Sequence, residues 1–337
     1  MPGKLYQGQG EVVTPHLGAT QIHAMLLGST YVGYDSRYST FYSASGGTIY
    51  DSGSYRYHLF TSSADLTIHS KPLSQFNSRI EVLVVGGGGG GQTINVQDIV
   101  QGTCFWGSGG GLPGNGGAVV HIPDNANYSL NIGTYNVTVG AGGTGSRRTA
   151  NVCATYTGAT GGGNSIITGS NVQIIALGGS SETSAFVAQS SLSGLSGQYG
   201  HNFPPGTSGD KGGPGGGGAG EAGTNGSNVT CGLPGTPGDG YQVDTFPFSY
   251  TRDSGGSTLL FPSDYWGGGG GGAGFPQFGG GCVGQQGFTG QAQGGGGNAG
   301  QAVTGTGVAN TGGGGAAYTQ GAGNGGSGFV GIRYRIA

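Results

Sequence analysis

Polar and apolar positions alternate along Tyr55–Phe60 (YRYHLF) and Ala64–Ser70 (ADLTIHS), as expected of strands buried on one face. Arg79–Val85 (RIEVLVV) is the most apolar run of the chain. Further strand-like runs are GAVVHIP (117–123), YSLNIG (128–133), YNVTVG (135–140), NSIITG (164–169) and VQIIALGG (172–179). In the last, GFVGIRYRIA (328–337), Phe329, Ile332, Tyr334 and Ile336 come close to alternating. No segment carries the 3.6-residue repeat of an amphipathic helix.

The most apolar strand breaks directly into glycine: EVLVVGGGGGGQ spans Glu81–Gln92. Similar tracts recur at Gly107–Gly117, Gly140–Gly145, Gly161–Gly163, Gly212–Gly220, Gly232–Gly240, Gly267–Gly274, Gly294–Gly297, Gly312–Gly315 and Gly321–Gly328. A flexible linker is one long stretch, whereas short tracts that recur mark a repeat architecture. A polyproline-II helix has three residues per turn and no internal hydrogen bonds. Its N–H and C=O groups must therefore find partners on neighbouring helices. Without Cβ atoms such helices can lie close enough to bond backbone to backbone. The expected fold is all-β with a polyglycine-II helix bundle and no α-helix, the glycines packed rather than loose.

Composition narrows the alternatives. The chain has 337 residues, of which 85 are Gly and 13 Pro, with no sustained G-X-Y register, so collagen is excluded. Charge-driven disorder does not fit a net charge of -3 with 17 Tyr, 13 Phe and 2 Trp. The near-neutral balance argues against nucleic acid as a partner. No apolar window is long enough for a membrane span, so membrane insertion is not expected, and the N-terminus shows no secretory h-region. The expected division is an N-terminal β attachment module (1–50) and a β-region (51–85) whose sheet is shared with 118–139, 164–178 and 328–337. A glycine-rich bundle with display loops (86–327) follows. Within the first module, Leu17–Ile22 and Leu27–Val32 repeat a Leu-Gly-small-Thr pattern. The C-terminal strand is expected to pair with Arg79–Val85.

YRYHLFTSS and EVLVVGGGGGG, then YNVTVGAGG and finally GNGGSGFVGIRYRIA, closely resemble the glycine-rich domain of bacteriophage tail-fibre and tail-tip proteins. That domain opens with V-V-(G/A)-G-G-G-G, here Val84–Gly90. It closes with G-G-S-G-x-V-x-I-R-Y, here Gly325–Tyr334. The resemblance covers residues 55–337. The bundle also resembles the tip adhesins of some T-even-like phages, and the Leu-Gly repeat is similar to short repeats of phage structural proteins. The resemblance implies a virion protein that attaches to a host-surface glycan or outer-membrane protein, joins other tail proteins through residues 1–50 and forms a homotrimer. The alternative from another class is a secreted glycine-rich structural or ice-binding protein. An ice binder calls for a flat, regular Thr or Ala face, which irregular aromatic loops do not offer.

Catalytic and cofactor patterns fare poorly. GxGxxG recurs by chance in glycine tracts and no helix follows it, so no nucleotide or other cofactor is expected. The triplets Asp51–Gly53 and Asp253–Gly255 read as turns rather than a protease dyad. A depolymerase needs paired carboxylates, which the loops lack. His16, His23, His58, His69, His121 and His201 show no metal-binding spacing, and N-x-[ST] sequons at Asn127, Asn136, Asn225 and Asn228 read as chance. No enzyme activity is expected.

The expected receptor surface is built of loop aromatics and arginines. It comprises Phe105, Trp106, Arg147, Arg148, Tyr156, Phe203, Phe246, Phe248, Tyr250, Arg252, Phe261, Tyr265 and Trp266. If successive tracts run up and down, loops 92–106, 146–157, 180–211 and 241–266 gather at one end. The same counting pairs Cys104 with Cys153, and Cys231 with Cys282.

Overall fold

The computed structural model describes residues 41–72, 79–92, 111–126, 128–146, 158–169, 172–181, 216–226, 235–246, 265–270, 305–317 and 322–337 in full. It also describes isolated residues between 203 and 207 and at 296, and the backbone of strands elsewhere. The chain is all-β. Among the described residues the longest helix is the three-residue 3-10 turn Asp124–Ala126.

Two antiparallel sheets form a sandwich. The front sheet runs, in spatial order, β6 (Val119–Ile122), β5 (Ile80–Val85), β10 (Phe329–Arg335), β3 (Tyr55–Phe60) and β2 (Thr48–Ser52), with Gly200–His201 added beside β6. The back sheet runs β9 (Val172–Ala176), β8 (Ser165–Gly169), β7 (Gly133–Thr138) and β4 (Ala64–Pro72). β1 (Ser43–Ser45) and a parallel piece, Tyr38–Ser39, also pair with β4. Residues 38–52 thus join the sandwich, which begins before the boundary expected at residue 51. β10 pairs with β5 in the register Val85↔Phe329 to Ile80↔Tyr334, as its alternating pattern predicts.

Between the sheets lies one apolar cluster. Ile80, Val82, Val84, Val330, Ile332 and Tyr334 of the front sheet meet Leu66, Ile68, Tyr135, Val137, Ile167 and Ile174 of the back sheet. A second cluster covers the outer face of the front sheet, where Leu83, Val85, Val119, Phe329 and Tyr57 lie under Val243, Phe246 and Trp266. β5 is therefore buried at every position, and its nearly unbroken apolar sequence follows from having two covered faces.

Sandwich strands run directly into the glycine tracts. β5 continues into Gly86–Gly91, β7 into 140–146 and β9 into 177–181; tracts 113–118, 160–163 and 322–328 lead into β6, β8 and β10. Gly86–Gly91 is the centre of a lattice. Its amides donate at 2.8–3.0 Å with a period of three. Gly86 and Gly89 reach Ala118 and Asn115, Gly87 and Gly90 reach Gly163 and Thr160, and Gly88 and Gly91 reach Gly326 and Gly323. These three neighbours are antiparallel. The Cβ directions show the same period toward three parallel neighbours: Leu177 and Ser180, Ala141 and Thr144, Gly313 and Ala316. Those tracts donate back, through Gly179 to Gly87, Gly143 to Gly88 and Gly315 to Gly89. Three residues per turn is the repeat of a polyproline-II-type backbone. At each of the six glycines an added Cβ would overlap a neighbour's carbonyl, so only glycine fits. Left-handed φ occurs where a tract turns up from the sandwich, at Gly267 (φ 71) and Gly312 (φ 69).

Candidate functional site

Because tracts alternate in direction, the described stretches that end at Gln92, Ser146, Ser181, Gly270 and Ala317 run toward the far end of the lattice, and those through Leu112, Thr160, Gly305 and Ala322 run back from it. The connections 93–111 and 147–157 are therefore excursions from that end. Gln92 and Leu112 close the first of these excursions with reciprocal backbone bonds. Two short hairpins belong to these excursions. Gln97–Val100 pairs with Thr103–Trp106, opposing Asp98 to Phe105 and Gln97 to Trp106. Arg147–Arg148, directly after the lattice residue Ser146, pairs with Tyr156–Thr157 and sets Arg148 opposite Tyr156. Five of the thirteen expected residues (Phe105, Trp106, Arg147, Arg148 and Tyr156) thus fall on strands that follow the far end of an upward tract. The backbone carries them there; their side chains lie outside the described residues.

The two ends of the loop 241–266 lie beside the front sheet and not at the display end, which corrects the expected place of Phe246, Tyr265 and Trp266. Tyr241–Gln242 pairs with Tyr265–Trp266 beside the front sheet. Trp266 is buried and stacks on Phe329, with ring centroids 4.7 Å apart. Phe246 is buried edge-on to Tyr57 at 6.1 Å and lies against Gly331, where a Cβ would meet its ring. Burial removes Phe246 and Trp266 from any receptor surface: they supply the second covered face that β5 requires. Tyr265 is half-buried in the same place. Tyr250, Arg252 and Phe261 lie on the hairpin Ser249–Ser254/Ser257–Pro262, which sets Tyr250 opposite Phe261. Phe203 is 42% exposed, and its amide bonds to Gly218 O near the sandwich end of the tract 216–219. Phe248, Cys153, Cys231 and Cys282 lie outside the described residues, as does the side chain of Cys104.

Sequence reasoning missed a charged cluster at the other end of the outer face. Where Trp266 and Phe246 stop, Glu81 lies buried opposite Arg333 across the β5–β10 ladder. Its Oε1 accepts from His121 Nε2 at 2.8 Å and from the Thr245 hydroxyl, and Arg333 Nη2 lies 2.6 Å from its Oε2. Burial pushes the Glu81 carboxyl up, but the hydrogen bonds from His121 and Thr245, with the Arg333 charge, hold it below the usual carboxylate range. Arg333 lies over the Tyr55 ring at 4.4 Å and near Tyr57 at 5.9 Å. The one available signal was Glu81 itself, a carboxylate inside the run RIEVLVV, which demands a buried cation.

Asp51 and His58 have structural partners. Asp51 makes a bidentate pair with Arg56, both bonds 2.8 Å, across the β2–β3 hairpin. Asp253 opposes Thr258 in its own hairpin, so Asp51–Ser52 and Asp253–Ser254 are both strand residues of hairpins. His58 donates Nδ1–H to Gly46 O at 2.8 Å and accepts from the Tyr334 hydroxyl at 3.0 Å. Among the described residues no group of His, Cys, Asp and Glu is arranged to hold a metal, and no helix is long and apolar enough to cross a membrane.

A β-sandwich whose strands continue into a hydrogen-bonded glycine lattice is the class of structure that emerges. The chain belongs to the glycine-rich domain family, whose model matches residues 67–335. No curated protein matches it.

Proposed function

We propose that the chain is a bacteriophage virion protein of the tail fibre or tail tip, and that it attaches to a host-surface glycan or outer-membrane protein through the far end of the glycine lattice. It acts there by binding and not by catalysis, outside the cell, with residues 1–50 joining it to other tail proteins and a homotrimer as the assembly. The observation that carries this reading is the repeated exit of the chain from one end of a rigid lattice, with Arg147, Arg148 and Tyr156 on the hairpin that follows Ser146. Loops on rigid scaffolds are where proteins commonly place recognition, and arginine with tyrosine is a favoured hot-spot composition. Arg147 and Arg148 suit phosphate or carboxylate groups of surface glycans.

Two measurements test it. Mass spectrometry of purified particles should find the chain, and antibodies against residues 147–157 should block adsorption to the host. A chain absent from particles would overturn the virion assignment. With the chain present, unchanged adsorption by particles carrying Arg147→Ser, Arg148→Ser and Tyr156→Ser together would overturn the attachment site.

A further inference from the structure

We infer that the sandwich end opposite the lattice carries a binding site for a singly charged oxyanion, a carboxylate or a phosphodiester, in a pocket of about 70 Å3 lined by Tyr55, Arg79, Asp124, Arg333 and Arg335. The site lies beyond the polar end of the outer face of the front sheet. Phe329, where β10 leaves the lattice, and Arg335, at the pocket, are six residues apart, or roughly 20 Å of strand. The pocket is thus separate from the display end and independent of the attachment reading.

Three guanidinium groups converge on it. Arg333 is held in place by Glu81 at 2.6 Å and by the Tyr55 ring, while its Nε–H is buried without an acceptor among the described residues. Arg335 lies 5.9 Å from the centroid of the same Tyr55 ring. Neither Arg79 nor Arg335 has a carboxylate within ion-pair distance among the described residues. Asp124 stands 3.9 Å from Arg333 Nη2 and is itself half exposed. Against the three arginines, Glu81 and Asp124 leave one positive charge uncompensated. That balance favours a monoanion over a dianion. Planar guanidinium forks match both carboxylate and phosphate oxygens, so the donor set takes either carrier and favours both over a neutral sugar.

The test is titration of the whole protein by calorimetry and by NMR of arginine Nε–H groups. The probes are methyl glucuronoside, glycerophosphoglycerol and neutral methyl glucoside. One or both anions should bind saturably, with affinity falling at least threefold between 50 and about 200 mM salt as counterions screen the charge. Arg79→Gln with Arg335→Gln should weaken binding at least tenfold with an unchanged melting temperature, since neither side chain has an acidic partner among the described residues. A response to glucuronoside alone identifies an acidic sugar as the source, and to glycerophosphoglycerol alone a phosphodiester; either supports the site. Three results would overturn it: no saturable binding of either anion, equal binding by the double variant, or equal binding of the neutral glucoside.

Discussion

Asn115 and Ser180 bond to each other twice. The main-chain N–H of Asn115 donates to the Ser180 carbonyl at 3.0 Å, and its side-chain Nδ2 donates to the Ser180 hydroxyl at 2.6 Å. The same side chain accepts the Gly217 amide at 2.9 Å through Oδ1. One residue therefore ties its own tract to two others, through its side chain as well as its backbone. Asn164 Oδ1 likewise accepts the Gly178 amide, and Asn324 Oδ1 the Gly145 amide.

Replacing Asn115 by Ala should strand the Gly217 amide in a buried place. An unmet buried donor costs about 1–3 kcal/mol, so thermal unfolding should move down by several degrees. Asn115→Asp keeps the acceptor for Gly217 and should fall between Ala and the native chain. Melting curves of the three proteins check the order.

Glycine positions should differ sharply in tolerance. At Gly158 an added Cβ meets nothing within 4 Å, at Gly161 it comes within 3.2 Å of the Gly179 carbonyl, and at Gly88 it overlaps the Gly313 carbonyl. Gly158→Ala should fold with its melting temperature unchanged, Gly161→Ala should lose a few degrees, and Gly88→Ala should fail to give soluble protein. Expression and melting of the three variants test this ranking.

Removal of residues 328–337 should abolish folding. β10 lies between β5 and β3, and it buries Phe329, Val330, Ile332 and Tyr334 on the two faces of the front sheet. No edge strand can replace it. A truncated chain that still melts cooperatively near the native temperature would contradict this.

Acid should weaken the fold in two stages. Burial lowers the His58 pKa below its usual 6.5, outweighing the opposing bond to Gly46 O. Its protonation therefore favours the unfolded chain. Stability from this group is complete above about pH 6.5 and is lost as pH falls through the lower folded value. Glu81 adds a later loss of the same sign, below its usual 4.5. The melting temperature should fall between pH 7 and pH 5, and His58→Gln should flatten that first stage. A native profile flat from pH 7 to pH 5 would exclude it.

Much of the scaffold was legible because each signal was local. Val84–Gly90 and Phe329–Tyr334 show, in order, a strand that becomes a tract and a tract that becomes a strand, and the ladder joins them. Two lattice tracts were not legible. Residues 177–181 and 305–308 carry Leu177, Ser180, Thr306 and Val308, side chains that interrupt the glycine pattern by which the other tracts were recognised. The placement of Phe246 and Trp266 was hidden for a different reason: parity counting follows tracts. Aromatics, by contrast, go where apolar surface is uncovered, and the outer face of β5 drew Trp266 and Phe246 away from the display end.

The central claim is that Gly86–Gly91 are held by six neighbours. Hydrogen exchange resolved to single amides tests it most directly. If the lattice exists, the amides of Gly86–Gly91 should exchange as slowly as those of β5, because all six are bonded to surrounding tracts at 2.8–3.0 Å. Exchange of these six at the rate of an unstructured glycine chain, with β5 still protected, would contradict the account.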